Sequence, residues 1–132
     1  MRMNKHQQAE AAEWCALHLS CAICWWPDSD RRRELHLHHI CGGSSRKHVV
    51  ENYCRLCSRC HDVLHAGSVV GNYPALYNRT VLWAKRESDP ENYNPELLAE
   101  LRNRKHLGYE PEEPHRFYLD ERQANLHRSR KP

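Results

Sequence analysis

Two Cys-x-x-Cys pairs, Cys21/Cys24 and Cys57/Cys60, constrain the fold of this chain more than any other feature. Each pair with this spacing can supply half of a tetrahedral thiolate site, and two pairs complete a closed zinc site. The pairs are separated by 32 residues, so a single ion would join both ends of that segment. The sequence therefore predicts a structural zinc, held by the four cysteines, at the centre of the fold.

The composition explains why this chain would need a metal. Hydrophobic residues make up 39% of the 132 residues, and 28% are charged, so only a thin apolar core can form. Small domains of this kind are commonly stabilised by a metal or by disulfides. The opening stretch is polar and no segment approaches the length of a membrane span. We therefore expect no membrane partner, a reducing cytoplasm, and zinc rather than disulfides.

The remaining three cysteines are interpreted as reduced thiols. Cys54 shares an even spacing with Cys57 and Cys60, as in some iron–sulfur runs, but the fourth local cysteine of those runs is absent. Cys41 and Cys54 are therefore expected to be buried and unpaired. We expect the same of Cys15, which falls in a predicted helix over 4–19.

Histidines between the cysteine pairs predict a second metal site of a different kind. His61 and His65 are four residues apart in a predicted helix, which places both imidazoles on one face. The alternating segment 34–38 predicts a strand that brings His38 to them as a third ligand. Three imidazoles leave one coordination position open, as in catalytic sites. His39 should point differently from His38, because strand neighbours alternate, and could serve as a general base.

The segment LHLHHI…ENYCRLCSRCHDVLH resembles the HNH endonucleases, which are ββα-metal nucleases. In this resemblance, which covers residues 14–66, His39 matches the general base. Asn52 matches the asparagine that holds a loop and orients that base, and His61 matches the last metal-binding position. His38 stands where many members have aspartate, and with His65 it is similar to the arrangement in colicin-type DNases. The flanking Cys-x-x-Cys pairs resemble the zinc-bearing members among small phage and bacterial proteins.

The expected fold class is α+β, with a small zinc-stapled ββα-metal core and flanking α-helices. The expected organisation is an N-terminal helix in 1–20, the nuclease core in 21–67, C-terminal helices in 68–108 and an extended or partly disordered tail in 109–132. The tail is expected to contain at most a short helix over 119–127. A chain that ends at Gly108 should therefore stay folded and active.

The resemblance implies hydrolysis of DNA phosphodiester bonds in the cytoplasm of a bacterial host cell. It implies one catalytic divalent ion, Mg²⁺, Mn²⁺, Zn²⁺ or Ni²⁺, in addition to the structural zinc. One site would nick a single strand, and double-strand cleavage would require a homodimer or two visits. The formal charge of +3 permits nucleic-acid binding without demanding it. The side chains expected to hold phosphates are Arg31, Arg32, Arg33, Arg46, Lys47, Arg55 and Arg59.

Two alternative functions remain open at this point. A non-catalytic zinc module that binds nucleic acid or protein would use the four cysteines, but it would have no use for the histidines and Asn52. An accessory nuclease inside a larger assembly for phage DNA packaging or recombination would use all of these residues. His36 shares the strand face of His38, and both contact with substrate and a structural role are open for it. His48 has no assigned role.

Overall fold

A computed structural model of the chain describes residues 2–43, 47–66 and 71–129. These residues form five α-helices and one two-stranded sheet, which confirms the predicted α+β class. The elements are α1 (Lys5–Leu17), β1 (Leu35–His39), β2 (Tyr53–Cys57), α2 (Ser58–Ala66), α3 (Asn78–Ser88), α4 (Pro95–Leu101) and α5 (Arg116–Ser129). Short 3₁₀ turns at Val50–Asn52 and Pro90–Asn92 precede β2 and α4.

The sheet and α2 bring the histidines together. β1 and β2 are antiparallel, with His38 opposite Cys54 and His39 opposite Tyr53. Because α2 follows β2 without a loop, the helix turns back across the sheet at once. Its first residue is fixed by a backbone hydrogen bond in which the Ser58 N–H donates to the Glu34 carbonyl at 2.7 Å. This connection sets α2 beside the strand that carries His38.

Helix α1 is fixed at both ends. Its N-terminus has a capping box in which the Asn4 side chain accepts from the Gln7 N–H at 2.8 Å and the Gln7 side chain accepts from the Asn4 N–H at 2.9 Å. The helix buries Trp14 against Tyr53, with ring centroids 5.5 Å apart. The Trp14 indole N–H also donates to the Asp89 carboxylate at 2.9 Å. The N-terminal helix therefore packs on the strand that ends at Cys57.

A buried ion pair ties α1, α3 and the turn before β2 together. Lys85 is fully buried, and its ammonium group donates to Asp89 at 2.6 Å and to the Val50 carbonyl at 2.8 Å. Burial alone would raise the pKa of Asp89. Hydrogen bonds from Lys85 and Trp14 outweigh that effect and hold this pKa below its ordinary value. The ion pair thus links α1, α3 and the turn before β2 through hydrogen bonds.

Replacing Asp89 with alanine should destabilise the protein by about 3–5 kcal/mol, because the Lys85 ammonium would stay buried without its counter-charge. Asp120→Ala is the matched control, since Asp120 pairs with Arg116 at the same four-residue spacing but both side chains are mostly exposed. We expect no measurable change for the control. Urea unfolding of the two variants measures the difference, and equal midpoints would show that the buried pair contributes nothing.

The C-terminal region differs from the expectation of an extended or partly disordered tail. Residues 116–129 form α5, which is longer than the short helix expected over 119–127. Its inward side consists of Tyr118, Arg122 and Asn125, all buried. Two of these three are polar, so the helix lacks the apolar stripe by which a packed helix is recognised in a sequence. The helix therefore extends three residues before and two residues beyond the expected 119–127, and its inward face is buried through hydrogen bonds that the sequence pattern does not reveal.

The other elements fall in the regions expected for them. β2 spans Tyr53–Cys57 within the core expected over 21–67, and α3 begins at Asn78 within the region expected to hold the C-terminal helices. α4 ends at Leu101, short of Gly108. Across 2–43, 47–66 and 71–129, no helix combines the length and the apolar character needed to cross a membrane.

Candidate metal centres

The four paired cysteines form one buried cluster. Their sulfur atoms lie within 4.8 Å of one another, and the Sγ atoms of Cys24 and Cys57 are 3.8 Å apart. Two thiolates on one tetrahedral zinc lie about 3.8 Å apart when each Zn–S bond is about 2.3 Å. A disulfide would need sulfur atoms about 2.05 Å apart, and none of these four cysteines forms a disulfide. The cluster that the sequence predicted is therefore present and could hold a zinc ion.

Local backbone geometry aims the two pairs at each other. Cys21 and Cys24 lie on a tight turn closed by the Trp25 N–H, which donates to the Cys21 carbonyl at 2.9 Å. Cys57 is the last residue of β2 and Cys60 lies in the first turn of α2. The Cys60 N–H points at the Cys57 sulfur at 3.4 Å, and such a donor favours a thiolate. The strand–helix junction thus supplies half of the cluster.

Helix α5 covers the outside of the Cys21–Cys24 turn. The Arg122 guanidinium donates to the Ile23 carbonyl at 2.8 Å and to the Ala22 carbonyl at 2.9 Å. The Asn125 amide donates to the Cys24 carbonyl at 2.8 Å. These donors hold the backbone that carries two of the four sulfur atoms, a role that commonly tunes a metal site. Sequence reasoning missed both residues, because no local signal links them to a turn about a hundred positions earlier.

A chain that ends at Gly108 should therefore lose stability and zinc, contrary to the expectation from the sequence alone.

Arg122→Ala is the milder test and should lower the free energy of unfolding by about 2–3 kcal/mol, because two buried carbonyls lose a charged donor. Gln123→Ala, at an exposed position of the same helix, is the control. Thermal unfolding and zinc retention against a chelator report the effect. A truncated chain with the melting temperature and zinc content of the full chain would contradict it.

The second cluster consists of His38, His61 and His65. One ring nitrogen of each lies within 4.8 Å of the others, and the Nε2 atoms of His61 and His65 are 3.0 Å apart. Two nitrogens on one tetrahedral ion at about 2.0–2.1 Å lie about 3.3 Å apart. The Nε2 atom of His38 is buried and has no hydrogen-bond partner among the described residues. A metal ion bound at this nitrogen would satisfy it.

The protonation of these imidazoles also suits a metal. Burial, followed by the proximity of His61, His65 and His39, lowers the pKa of His38 to about 3. Burial is likewise the main cause that lowers the pKa of His61. Both rings are therefore neutral near pH 7, and a neutral imidazole has the free lone pair that a metal requires. The three residues predicted from the sequence could hold one divalent ion.

His39 lies outside this ligand group and has different neighbours. Its ring packs edge-on against Tyr53, with centroids 5.4 Å apart. Its Nε2 atom is 3.1 Å from Nδ1 of His48, a residue without a role in the sequence analysis. His39 nevertheless lines the same groove as His38 and His65. An imidazole so placed can exchange a proton beside the metal ligands without being one of them.

Asn52 holds the loop between β1 and the turn before β2. Its buried side chain accepts from the Cys41 N–H at 2.8 Å and donates to the Cys41 carbonyl at 3.0 Å and the Lys47 carbonyl at 3.1 Å. Its backbone carbonyl also accepts from the Ile40 N–H at 2.8 Å. The residues directly after His39 are therefore tied to one side chain. Asn52 therefore fixes the loop that follows His39.

The basic residues expected to hold phosphates fall into two groups. Arg31 and Lys47 are exposed. The exposed guanidinium of Arg32 pairs with Asp30 at 2.7 and 3.0 Å, and Arg33 stacks over Trp26 at 4.0 Å. Arg46 lies outside the described residues. Of the described residues in this group, Arg31, Arg32 and Lys47 are thus exposed, and Arg33 is partly buried.

Arg55 and Arg59 have internal partners and correct the expectation. The Arg55 guanidinium donates to the carbonyls of His18 and Leu35, each at 3.1 Å. Arg59 is mostly buried, pairs with Glu121 and lies over Tyr73 at 4.4 Å. Guanidinium groups that satisfy carbonyl and carboxylate acceptors within the fold are not available to a phosphate. We therefore leave both residues out of the proposed DNA contacts.

A groove of about 400 Å³ opens beside the histidines. Its walls include His38, His39, His65, Tyr77, Asn78 and Arg102. Arg102 lies just after α4, where its guanidinium is 3.4 Å from the Cys41 sulfur and 3.5 Å from the Ile40 carbonyl. Arg102 and Asn78 could not be predicted as site residues, because both come from a part of the chain that contains no motif. A larger cavity of about 510 Å³ near Tyr93 and Tyr109 contains none of the predicted site residues.

Comparisons with known proteins add no relative to this description. No protein-family model, curated protein or solved structure matches the chain. The two clusters and the groove between β1, α2 and Arg102 are therefore the basis for assigning a function.

Proposed function

We propose that this protein is a metal-dependent endonuclease of the HNH type that hydrolyses phosphodiester bonds in DNA. One observation carries the proposal. The group His38, His61 and His65 lies on a β–β–α unit. His39, which follows His38 on β1, lines the same groove but does not belong to that group. A metal site with a separate base beside it is the arrangement that hydrolysis of a phosphodiester requires. The four-cysteine cluster would hold the structural zinc.

The side chains divide the chemistry among them. A divalent ion held by the three histidines would act as a Lewis acid on a phosphate oxygen and stabilise the charge on the leaving 3′-oxygen. His39 takes a proton from the attacking water at a ring nitrogen. Tyr53 and His48, which contact the His39 ring, hold its orientation. Asn52 keeps the following loop in place through its three hydrogen bonds to that loop.

The groove supplies contacts to the substrate. Arg102 and Asn78 line it. Two nitrogens of the Arg102 guanidinium already face Cys41 and Ile40, so only its remaining N–H donors would reach a phosphate oxygen. Arg31 and Lys47 are exposed and add positive charge, which agrees with the formal charge of +3. Contacts of this kind position a DNA strand without reading its sequence. We therefore expect cleavage with little sequence preference from the chain alone.

A non-catalytic zinc module is the competing function. It would need the four cysteines but not the buried Nε2 atom of His38, which lacks a partner among the described residues. Leaving a buried polar atom unsatisfied costs about 1–3 kcal/mol. A module that binds no second metal would gain nothing in return. This cost favours a second metal at the histidines, which the nuclease would use and the zinc module would not.

Supercoiled plasmid tests the proposal. Protein that has kept its structural zinc is treated with a mild chelator and supplied with Mg²⁺, Mn²⁺, Zn²⁺ or Ni²⁺. We expect nicked circles in at least one metal and none without metal. His61→Ala should need more metal and cleave more slowly, because one ligand is lost, whereas His6→Ala, at an exposed position in α1, should behave as wild type. Plasmid binding without nicking in any of these metals would favour the zinc module.

A further inference from the structure

One histidine beside the ligand group is not explained by metal binding itself. His36 lies two residues before His38 on β1, and its Nδ1 atom is 3.1 Å from Nδ1 of His61. The two rings are nearly perpendicular, with centroids 5.0 Å apart. On the other side of the ring, the Nε2 atom of His36 is 3.7 Å from a carboxylate oxygen of Glu34. The contacts thus run from Glu34 through His36 to His61.

The two ring nitrogens of His61 face different partners. Its Nε2 atom lies 3.0 Å from Nε2 of His65 and so faces the ligand group, whereas its Nδ1 atom faces His36. A ring nitrogen that binds a metal carries no proton, so the proton of a neutral imidazole must sit on the other nitrogen. With Nε2 as the ligand atom, His61 donates from Nδ1. The Nδ1 atom of His36 must then accept, and the proton of His36 must be on Nε2, towards Glu34.

We propose that His36 is a positioning residue that fixes the tautomer and the orientation of His61 for metal binding, with Glu34 favouring the required tautomer of His36. The inference rests on the metal site of the proposed function and extends it beyond the three ligands. Metal-bound histidines commonly donate their second N–H to a carboxylate or a carbonyl. Here an imidazole stands in that place, and the Glu34 carboxylate lies 3.7 Å beyond it as a charge partner, not as a hydrogen-bond acceptor.

Two simpler roles for His36 fit the geometry less well. If His36 were a fourth ligand, it would have to reach the side of His61 that bears Nε2, but its contact is with Nδ1 of His61. The ligand group found among the described residues contains only His38, His61 and His65. A packing role does not need an imidazole, because the side chain of His36 is one-third exposed. The hydrogen bond to His61 is the contact that requires this residue type.

Metal titration of the zinc-loaded protein tests the inference. With the cysteine site filled, calorimetry with Zn²⁺ should show one further site in the wild type. His36→Leu should weaken that site about 10–100-fold, as is typical when the partner of a metal-bound histidine is lost. His36→Asn places an amide oxygen near the position of Nδ1 and should retain most of the affinity. His6→Ala is the control for loss of an exposed histidine.

The outcomes separate this inference from the proposed function. Wild-type affinity in His36→Leu would overturn the positioning role and leave the metal site intact. Loss of binding as complete as in His61→Ala would identify His36 as a ligand and also overturn it. Absence of a second site in the wild type would overturn the proposed function, and the positioning role with it.

The tautomers can be measured without any substitution, which keeps the inference testable if His36→Leu fails to fold. Long-range ¹H–¹⁵N spectra of the fully zinc-loaded wild type distinguish protonated from unprotonated ring nitrogens. We expect His61 to be protonated at Nδ1 and bound through Nε2, and His36 to be protonated at Nε2. His36 protonated at Nδ1, or His61 bound through Nδ1, would overturn the proposal.

Discussion

The Cys57→Ser variant should lose its stable fold together with its structural zinc. Cys57 is the last residue of β2, its sulfur is 3.8 Å from that of Cys24, and the cluster joins the Cys21–Cys24 turn to the strand–helix junction. Zinc bound to sites of this kind contributes about 10–16 kcal/mol to folding, which is as large as the whole stability of a typical domain. We therefore expect no cooperative urea transition and less than one zinc per chain.

A second cysteine of the same strand provides the control. Cys54 is buried but outside the ligand group, and burial raises the pKa of its thiol to about 12, so it stays protonated and is a poor metal ligand. Cys54→Ala should keep one zinc after mild chelation and unfold cooperatively with a modest loss of stability. A folded Cys57→Ser chain without zinc would contradict the assignment. A disulfide between Cys21 and Cys24 in the wild type would contradict it as well.

The His39→Ala variant should cleave DNA about 10²–10⁴-fold more slowly while binding metal and DNA as the wild type does. The reason is the position of His39, which lines the groove but lies outside the ligand group. His61→Ala removes a ligand, so its metal affinity should fall together with the rate, and excess metal should restore part of the activity. The two variants therefore fail in different ways.

His65→Ala separates a ligand from a packing residue. If His65 binds the metal, this variant should resemble His61→Ala. If the His65 side chain only packs beneath the helix, stability should drop while metal affinity survives. Single-turnover cleavage, DNA binding and calorimetry with the divalent metal are measured on each variant. A wild-type cleavage rate for His39→Ala in a nuclease-free preparation would show that His39 is not the base.

The features that the sequence predicted correctly are set by short spacings. Cysteines three residues apart can share a turn, and histidines four residues apart share a helix face, whatever the rest of the fold does. His38 was harder to predict, because its place depends on how β1 pairs. The alternation over 34–38 still indicated a strand that ends near it, and β1 spans Leu35–His39.

The features that the sequence analysis missed depend on contacts between distant parts of the chain. Arg122 and Asn125 hydrogen-bond to a turn about a hundred residues earlier, and Arg102 meets the loop after His39 about sixty residues away. Arg55 and Arg59 have the composition of a basic surface, yet their guanidinium groups satisfy acceptors inside the fold. Residue type alone does not show whether an arginine faces solvent or a carbonyl.

Neighbouring residues of one strand, His38 and His39, are assigned to metal binding and to proton transfer respectively. Anomalous diffraction at the zinc edge, from crystals of zinc-loaded protein, tests that division most directly. We expect two peaks per chain, one among the sulfur atoms of the four paired cysteines and one bonded to His38, His61 and His65, with the His39 ring unbound. A second peak bonded to His39, or no peak at the histidines, would contradict the assignment.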